Sequence, residues 1–168
     1  MDRAALRSIE NDSAMPVFIK DFDDEVTALL IETRAINDGQ LNIQIGQIEE
    51  LLSEFSVKRD IYFTKDLDEY TLYWKIRKGL FPAVGAVRVT GTTVIIEDVA
   101  YPIEVLAEAT LELQSLFQKY GYSEAIIFGH ALDGNFHFVF TQDFSDIKEV
   151  KRYDDLMNDV VNSVAVKY

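Results

Sequence analysis

Apolar runs alternate with short polar breaks along this chain, and their spacing predicts a series of helices and strands. Residues 2–10 read as a short helix, and Met15-Pro16 opens a new segment. Val26-Thr27-Ala28-Leu29-Leu30-Ile31-Glu32-Thr33 is a strand by composition. Asn37-Asp38-Gly39 turns the chain into a helix over about 40–55, with Leu41, Ile45, Ile48, Leu51, Leu52 and Phe55 on one stripe. Asp60 to Thr64 reads as a short strand. Asp66 then caps a helix over about 67–80, Glu69 completes a start like a capping box, and Pro82 ends the helix. Thr92 to Asp98 is a β-branched strand. Pro102 sits in the first turn of a long helix reaching Tyr120, with Gly121 as its stop. A final amphipathic helix runs from about Asp146 to Val164.

Between the last two helices, Glu124 to His130 and Asn135 to Thr141 are apolar on both faces, which predicts strands near the middle of a covered sheet. Asp133-Gly134 between them is the signature of a two-residue type I′ turn. That turn would set Leu132 opposite Asn135, Ala131 opposite Phe136, and His130 opposite His137. The last pair comprises both histidines of the chain. Strand–helix–strand units mixed with a hairpin predict an α+β fold: an antiparallel sheet with flanking helices, ferredoxin-like in character.

Composition narrows the class. With 168 residues the chain fits one domain over 1–168 and can bury a sizeable core. No apolar run approaches the roughly 18–20 residues of a membrane span, and Met1-Asp2-Arg3-Ala4-Ala5-Leu6 has no signal-peptide core. These features predict a cytoplasmic protein. The absence of cysteine excludes disulfides, thiolate metal sites and a cysteine nucleophile. A formal charge of −13, spread along the chain, opposes nucleic acid and anionic membranes as partners.

Two opposed imidazoles can bind Zn²⁺, Mn²⁺ or Fe²⁺ together with at least one further ligand. Equally, they can pair within a sheet and bond to backbone. Arg77 shares a helix face with Trp74 and Tyr70. Its fork suits a carboxylate, or it stabilises a helix C-terminus through the macrodipole, a role that Lys78 also fits. Arg88, in the loop expected after Pro82, could reach the same anion. Asn135 could bond substrate or orient a histidine, whereas Asp133 reads as turn chemistry. Glu97 and Asp98 read as anchors of the following helix. Phe117, Phe128 and Phe138 read as core, and with both histidines in one hairpin no Ser/His/Asp triad can be assembled.

Gly129-His130-x-x-Asp133-Gly134-Asn135-x-His137 resembles the G-H-x-G-D-G-N-x-H motif of FAD-linked 2-hydroxyacid dehydrogenases, which include D-lactate and D-2-hydroxyglutarate dehydrogenases and the flavin subunit of glycolate oxidase. Arg77-Lys78-x-x-Phe81-Pro82-Ala83-x-Gly85 and Glu97-Asp98-Val99-x-x-Pro102 resemble two further family segments, in family order, so the resemblance covers essentially the whole chain. Arg77-Lys78-Gly79-Leu80-Phe81-Pro82 is most similar to long bacterial members that fuse a flavin part to an iron–sulfur part. One departure is Leu132, where the family usually has glycine.

The resemblance implies a C-terminal substrate or cap domain separated from its flavin-binding domain. The intact enzyme would oxidise a D-2-hydroxy acid to the 2-oxo acid and pass hydride to FAD. His130 and His137 would ligate the metal, Arg77 would bind the substrate carboxylate, and Asn135 and Arg88 would lie nearby. Family members supply a further carboxylate ligand and a catalytic histidine from an Ala-Glu-His-Gly stretch past the position of Tyr168. This chain alone is therefore expected to be inactive, to bind metal weakly, and to self-associate if that stretch normally covers the hairpin. The intact protein is expected to pair this domain with the flavin domain of the same polypeptide, peripherally at the inner membrane in some settings. The rival reading is a stand-alone ferredoxin-like module that binds a ligand or metal in regulation.

Overall fold

The computed structural model describes residues 1–168, apart from the side chain of Val87. The chain forms two compact units, one of residues 1–28 with 79–168 and one of residues 29–78.

The larger unit is organised by three antiparallel strands, β1 (Thr93–Ala100), β2 (Ile126–His130) and β3 (Asn135–Gln142), in the order β1-β3-β2. Helix α4 (Leu106–Lys119) connects β1 to β2, and α5 (Ile147–Asn162) follows β3. This βαββα path and strand order are those expected of a ferredoxin-like α+β fold. The central strand is the one that is apolar on both faces: Phe138, Val139 and Phe140 are all buried. One face, bearing Ile127, Phe138 and Phe140, packs on Leu113 and Phe117 of α4 and on Leu156 and Val160 of α5. Each such side chain contributes on the order of 1.5–3 kcal/mol by leaving water. Phe117 and Phe138 meet with ring centres 5.2 Å apart. Phe117, Phe128 and Phe138 are core residues, as their sequence context predicted.

Gln142 is fully enclosed at the end of β3. Its amide accepts from the Tyr122 hydroxyl and donates to the Glu149 carbonyl at 3.0 Å, so the buried polar group is satisfied.

Helix α1 (Arg3–Ile9) packs against β2. Asp2 caps it by accepting from Ala5 N at 2.8 Å, while Asp2 N donates to Ile127 O at 2.9 Å. Met1 and Ala28 exchange backbone bonds of 2.9 and 3.1 Å. The outer edge of β2 is thereby partly covered by main chain. Helix α4 ends in a paired closure, Tyr122 N to Phe117 O and Gly121 N to Gln118 O. Asp146 opens α5 by accepting from Lys148 N.

The smaller unit holds α2 (Asp38–Leu52), capped by Asn37, and the first part of α3 (Leu67–Val87), capped by Asp66. The capping box is one-sided: Asp66 accepts from Asp68 N and Glu69 N, but its own amide goes to Thr64 Oγ1. The apolar stripe of α2 forms without being enclosed, for Leu51 and Phe55 are 63% and 62% exposed. Among the described residues of this unit only Ile76 is buried.

Three sequence expectations are corrected. Residues 26–33 and 60–64 form no strand: Ala28 makes a single paired exchange with Met1 that extends no further, and β-rich composition yields a strand only where a ladder continues. Pro82 does not end its helix. α3 continues to Val87, and Leu80 and Val84, buried on either side of the proline, hold both halves in place against the lost backbone bond.

Candidate functional site

The hairpin that carries the histidines closes differently from the predicted two-residue turn. Ala131–Asp133 form a 3₁₀ turn, and Gly134 alone takes a left-handed conformation, with φ 64°. A type I′ turn would also need positive φ at Asp133, and no described non-glycine residue has it. The four-residue loop is held by Gly134 N to Ala131 O at 3.1 Å and by Tyr101 N to Gly134 O at 2.9 Å. A Cβ at Gly134 would lie 2.0 Å from Tyr101 O, so the glycine is required for that approach. Leu132 projects from the tip, 90% exposed, with ordinary backbone geometry, so its departure from glycine is accommodated.

The longer loop shifts the register by two. His130 opposes Asn135, and His137 opposes Phe128. Because side chains alternate with period two, a shift of two keeps every residue on its predicted face. The histidines therefore become diagonal neighbours rather than a direct pair, with ring centres 5.7 Å apart and planes at 89°. His137 is partly buried and lies 5.4 Å from the Phe128 ring, whereas His130 is exposed.

The third strand adds what the sequence reading missed. Asp98 on β1 lies directly opposite His137 on the same face. Its Oδ2 is 3.4 Å from His137 Nδ1, and its Oδ1 accepts from Asn135 Nδ2. Asn135 Nδ2 also donates to Val99 O at 3.3 Å. The expectation that Glu97 and Asp98 anchor the following helix is corrected: Pro102 precedes that helical segment without any side-chain cap. Glu97 faces the other side of the sheet, in a groove with Met157 and Val161. The Glu97-Asp98-Val99-x-x-Pro102 motif marks the segment, but which of its carboxylates meets the histidines depends on how β1 aligns with β3.

The imidazole pair fits part of a metal site. A zinc–nitrogen bond of about 2.0–2.1 Å puts each ring centre roughly 3.2 Å from the ion, so two rings sharing one ion stand about 5–6 Å apart. The observed spacing falls within that range. Among the described residues, no group of three His, Asp or Glu side chains is assembled around such a point.

Arg77 belongs to the smaller unit and is partly buried, and burial pushes its guanidinium pKa down. It lies in the middle of α3, so neither Arg77 nor Lys78 serves as the cation of a helix C-terminus. Lys78 instead stands 6.0 Å over the Trp74 ring. Arg88 takes the terminal role: its Nη1 donates to Gly85 O at 3.1 Å, across the last turn of α3.

The model of the family described as FAD linked oxidases, C-terminal domain, matches residues 1–168. The chain belongs to this family. No curated protein matches it. As an FAD-linked oxidase domain it is part of a flavoprotein oxidoreductase whose cofactor is FAD. No helix among its described residues is long and apolar enough to cross a membrane.

Proposed function

We propose that this oxidase domain is the substrate-binding part of an FAD-dependent D-2-hydroxyacid dehydrogenase, acting on D-lactate, glycolate or D-2-hydroxyglutarate. The observation that carries the reading is the convergence of His130 and His137 on one sheet face at metal-sharing distance, within a family-matched chain. In this reading the histidines hold a divalent metal, zinc, manganese or iron, whose further ligand comes from elsewhere in the protein. When bound, the metal supplies acidification of the 2-hydroxyl and the flavin supplies the hydride acceptor. Arg77 provides the fork for a carboxylate, Asn135 orients the histidine face, and Arg88 offers a second cation. The flavin domain belongs to the same polypeptide.

The test is anaerobic flavin reduction in the flavin-bearing protein that contains this domain, with each of the three acids. One acid is expected to bleach the flavin in the wild type. His130→Ala is expected to slow bleaching by about 100-fold or more, the loss of several kcal/mol of charge stabilisation. Failure of all three acids to bleach the flavin would overturn the substrate class. Bleaching unaffected by His130→Ala would overturn the metal role.

A further inference from the structure

We propose that Asp98 is a positioning residue that sets the tautomer of His137, taking the proton on Nδ1 and leaving the Nε2 lone pair free for a ligand. The inference rests on the reading of His137 as a metal ligand and extends it to a residue on a different strand.

The geometry carries it in three steps. First, Asp98 and His137 are register partners on adjacent strands and share a face, so their side chains are held opposite each other by the ladder itself. Second, an ionised carboxylate only accepts hydrogen bonds. A neutral imidazole beside it therefore lowers the energy of the pair by turning an N–H toward it, and the nitrogen nearest Asp98 is Nδ1, at 3.4 Å. That separation is longer than the roughly 2.7–3.2 Å of a formed N–H···O bond, so the two groups stand at ion-pair distance, and the bond closes only when a ligand holds the ring. Third, the carboxylate is itself fixed. Asn135 donates to its other oxygen and to Val99 O, so the chain Val99–Asn135–Asp98–His137 joins β1 to β3 through side chains. On the far side, the Phe128 and His130 rings limit where the His137 ring can go.

A metal-bound histidine whose second nitrogen bonds a carboxylate is more basic and better oriented than one without it. Asp98 is 61% exposed, so its pairing contributes little to folding. Positioning and stability are therefore separable by experiment.

The experiment is long-range ¹H–¹⁵N correlation NMR on the 168-residue chain at about pH 8.5, above the usual histidine range, followed by titration with zinc chloride. Wild-type His137 is expected as the Nδ1–H tautomer. Asp98→Ala is expected to convert it to the Nε2–H form that a histidine side chain without such a partner favours, with the β3 amide signals retained. Zinc affinity read from the same signals is expected to fall by about 10–100-fold in Asp98→Ala. A wild-type Nε2–H tautomer, an unchanged tautomer in the variant, or equal zinc affinity would overturn the proposal. Should the alanine variant not fold, the wild-type tautomer decides it alone. Failure of the flavin-bearing protein that contains this domain to bind zinc, with the His137 tautomer of the 168-residue chain still set by Asp98, would overturn the metal reading and leave the carboxylate–imidazole contact standing.

Discussion

Gly129→Ala tests the hairpin geometry most directly. Gly129 lies opposite Phe136, one residue before His130. A Cβ there would sit 2.1 Å from Asn135 O, 2.8 Å from Phe136 Cα and 3.0 Å from Asn135 C. All three are backbone atoms, so no side-chain rotation relieves the clash, and β2 must move away from β3. Overpacking of this kind costs about 1–3 kcal/mol. Opening the last rung also weakens ladder bonds worth on the order of 1 kcal/mol each. The expected loss is therefore about 2–4 kcal/mol, a large part of an ordinary domain's stability. Urea unfolding followed by far-UV circular dichroism should show a lower midpoint at unchanged slope. Amide exchange at Phe138 and Val139 should speed up to the same extent. Trp74 fluorescence is not the probe to use, because the only tryptophan lies in the smaller unit. A loss under about 0.5 kcal/mol, within the range of an inert surface change, would refute the close approach of the strands and with it the four-residue loop.

Gly46→Ala makes the opposite prediction: the glycine lies exposed inside α2 with nothing near its would-be Cβ, so alanine should stabilise the helix by about 0.5–1 kcal/mol, read by the thermal midpoint of the smaller unit. Gln142→Ala removes the enclosed acceptor of the Tyr122 hydroxyl and should cost about 1–3 kcal/mol in urea unfolding, more than truncation of an exposed residue would. Asp2 has its pKa raised from an ordinary 3.8, first by burial and against the opposing bond from Ala5 N. Its folded form therefore holds the proton more tightly than the unfolded chain does, and its contribution to stability is full below the unfolded value and lost as pH rises through the raised one. Asp2→Asn keeps an oxygen for the cap, so the variant should gain on wild type as pH rises from about 4 to 7. A midpoint difference between Asp2→Asn and wild type that fails to move in the variant's favour from about pH 4 to pH 7 would contradict this.

Much of the architecture was legible in local pattern. Asn37, Asp66 and Asp146 stand where side-chain oxygens cap helices, and each does so. The hairpin strands, the long helix closed at Gly121, and the common face of His130 and His137 follow from turn residues and from the period of two, which survives an even change of register. Tertiary structure decided the rest, in each case through contacts distant in sequence. Val26 to Thr33 has strand composition but pairs only at Ala28, with Met1, and no ladder extends from there. Pro82 is carried through a helix by the burial of Leu80 and Val84. The hairpin loop lengthens where Tyr101, just past the end of β1, donates to Gly134 O. Asp98 joins the histidines because β1 pairs with β3 in the register that sets it opposite His137. Local chemistry selects which residues turn, cap or alternate, while the pairing of distant strands determines which of them meet.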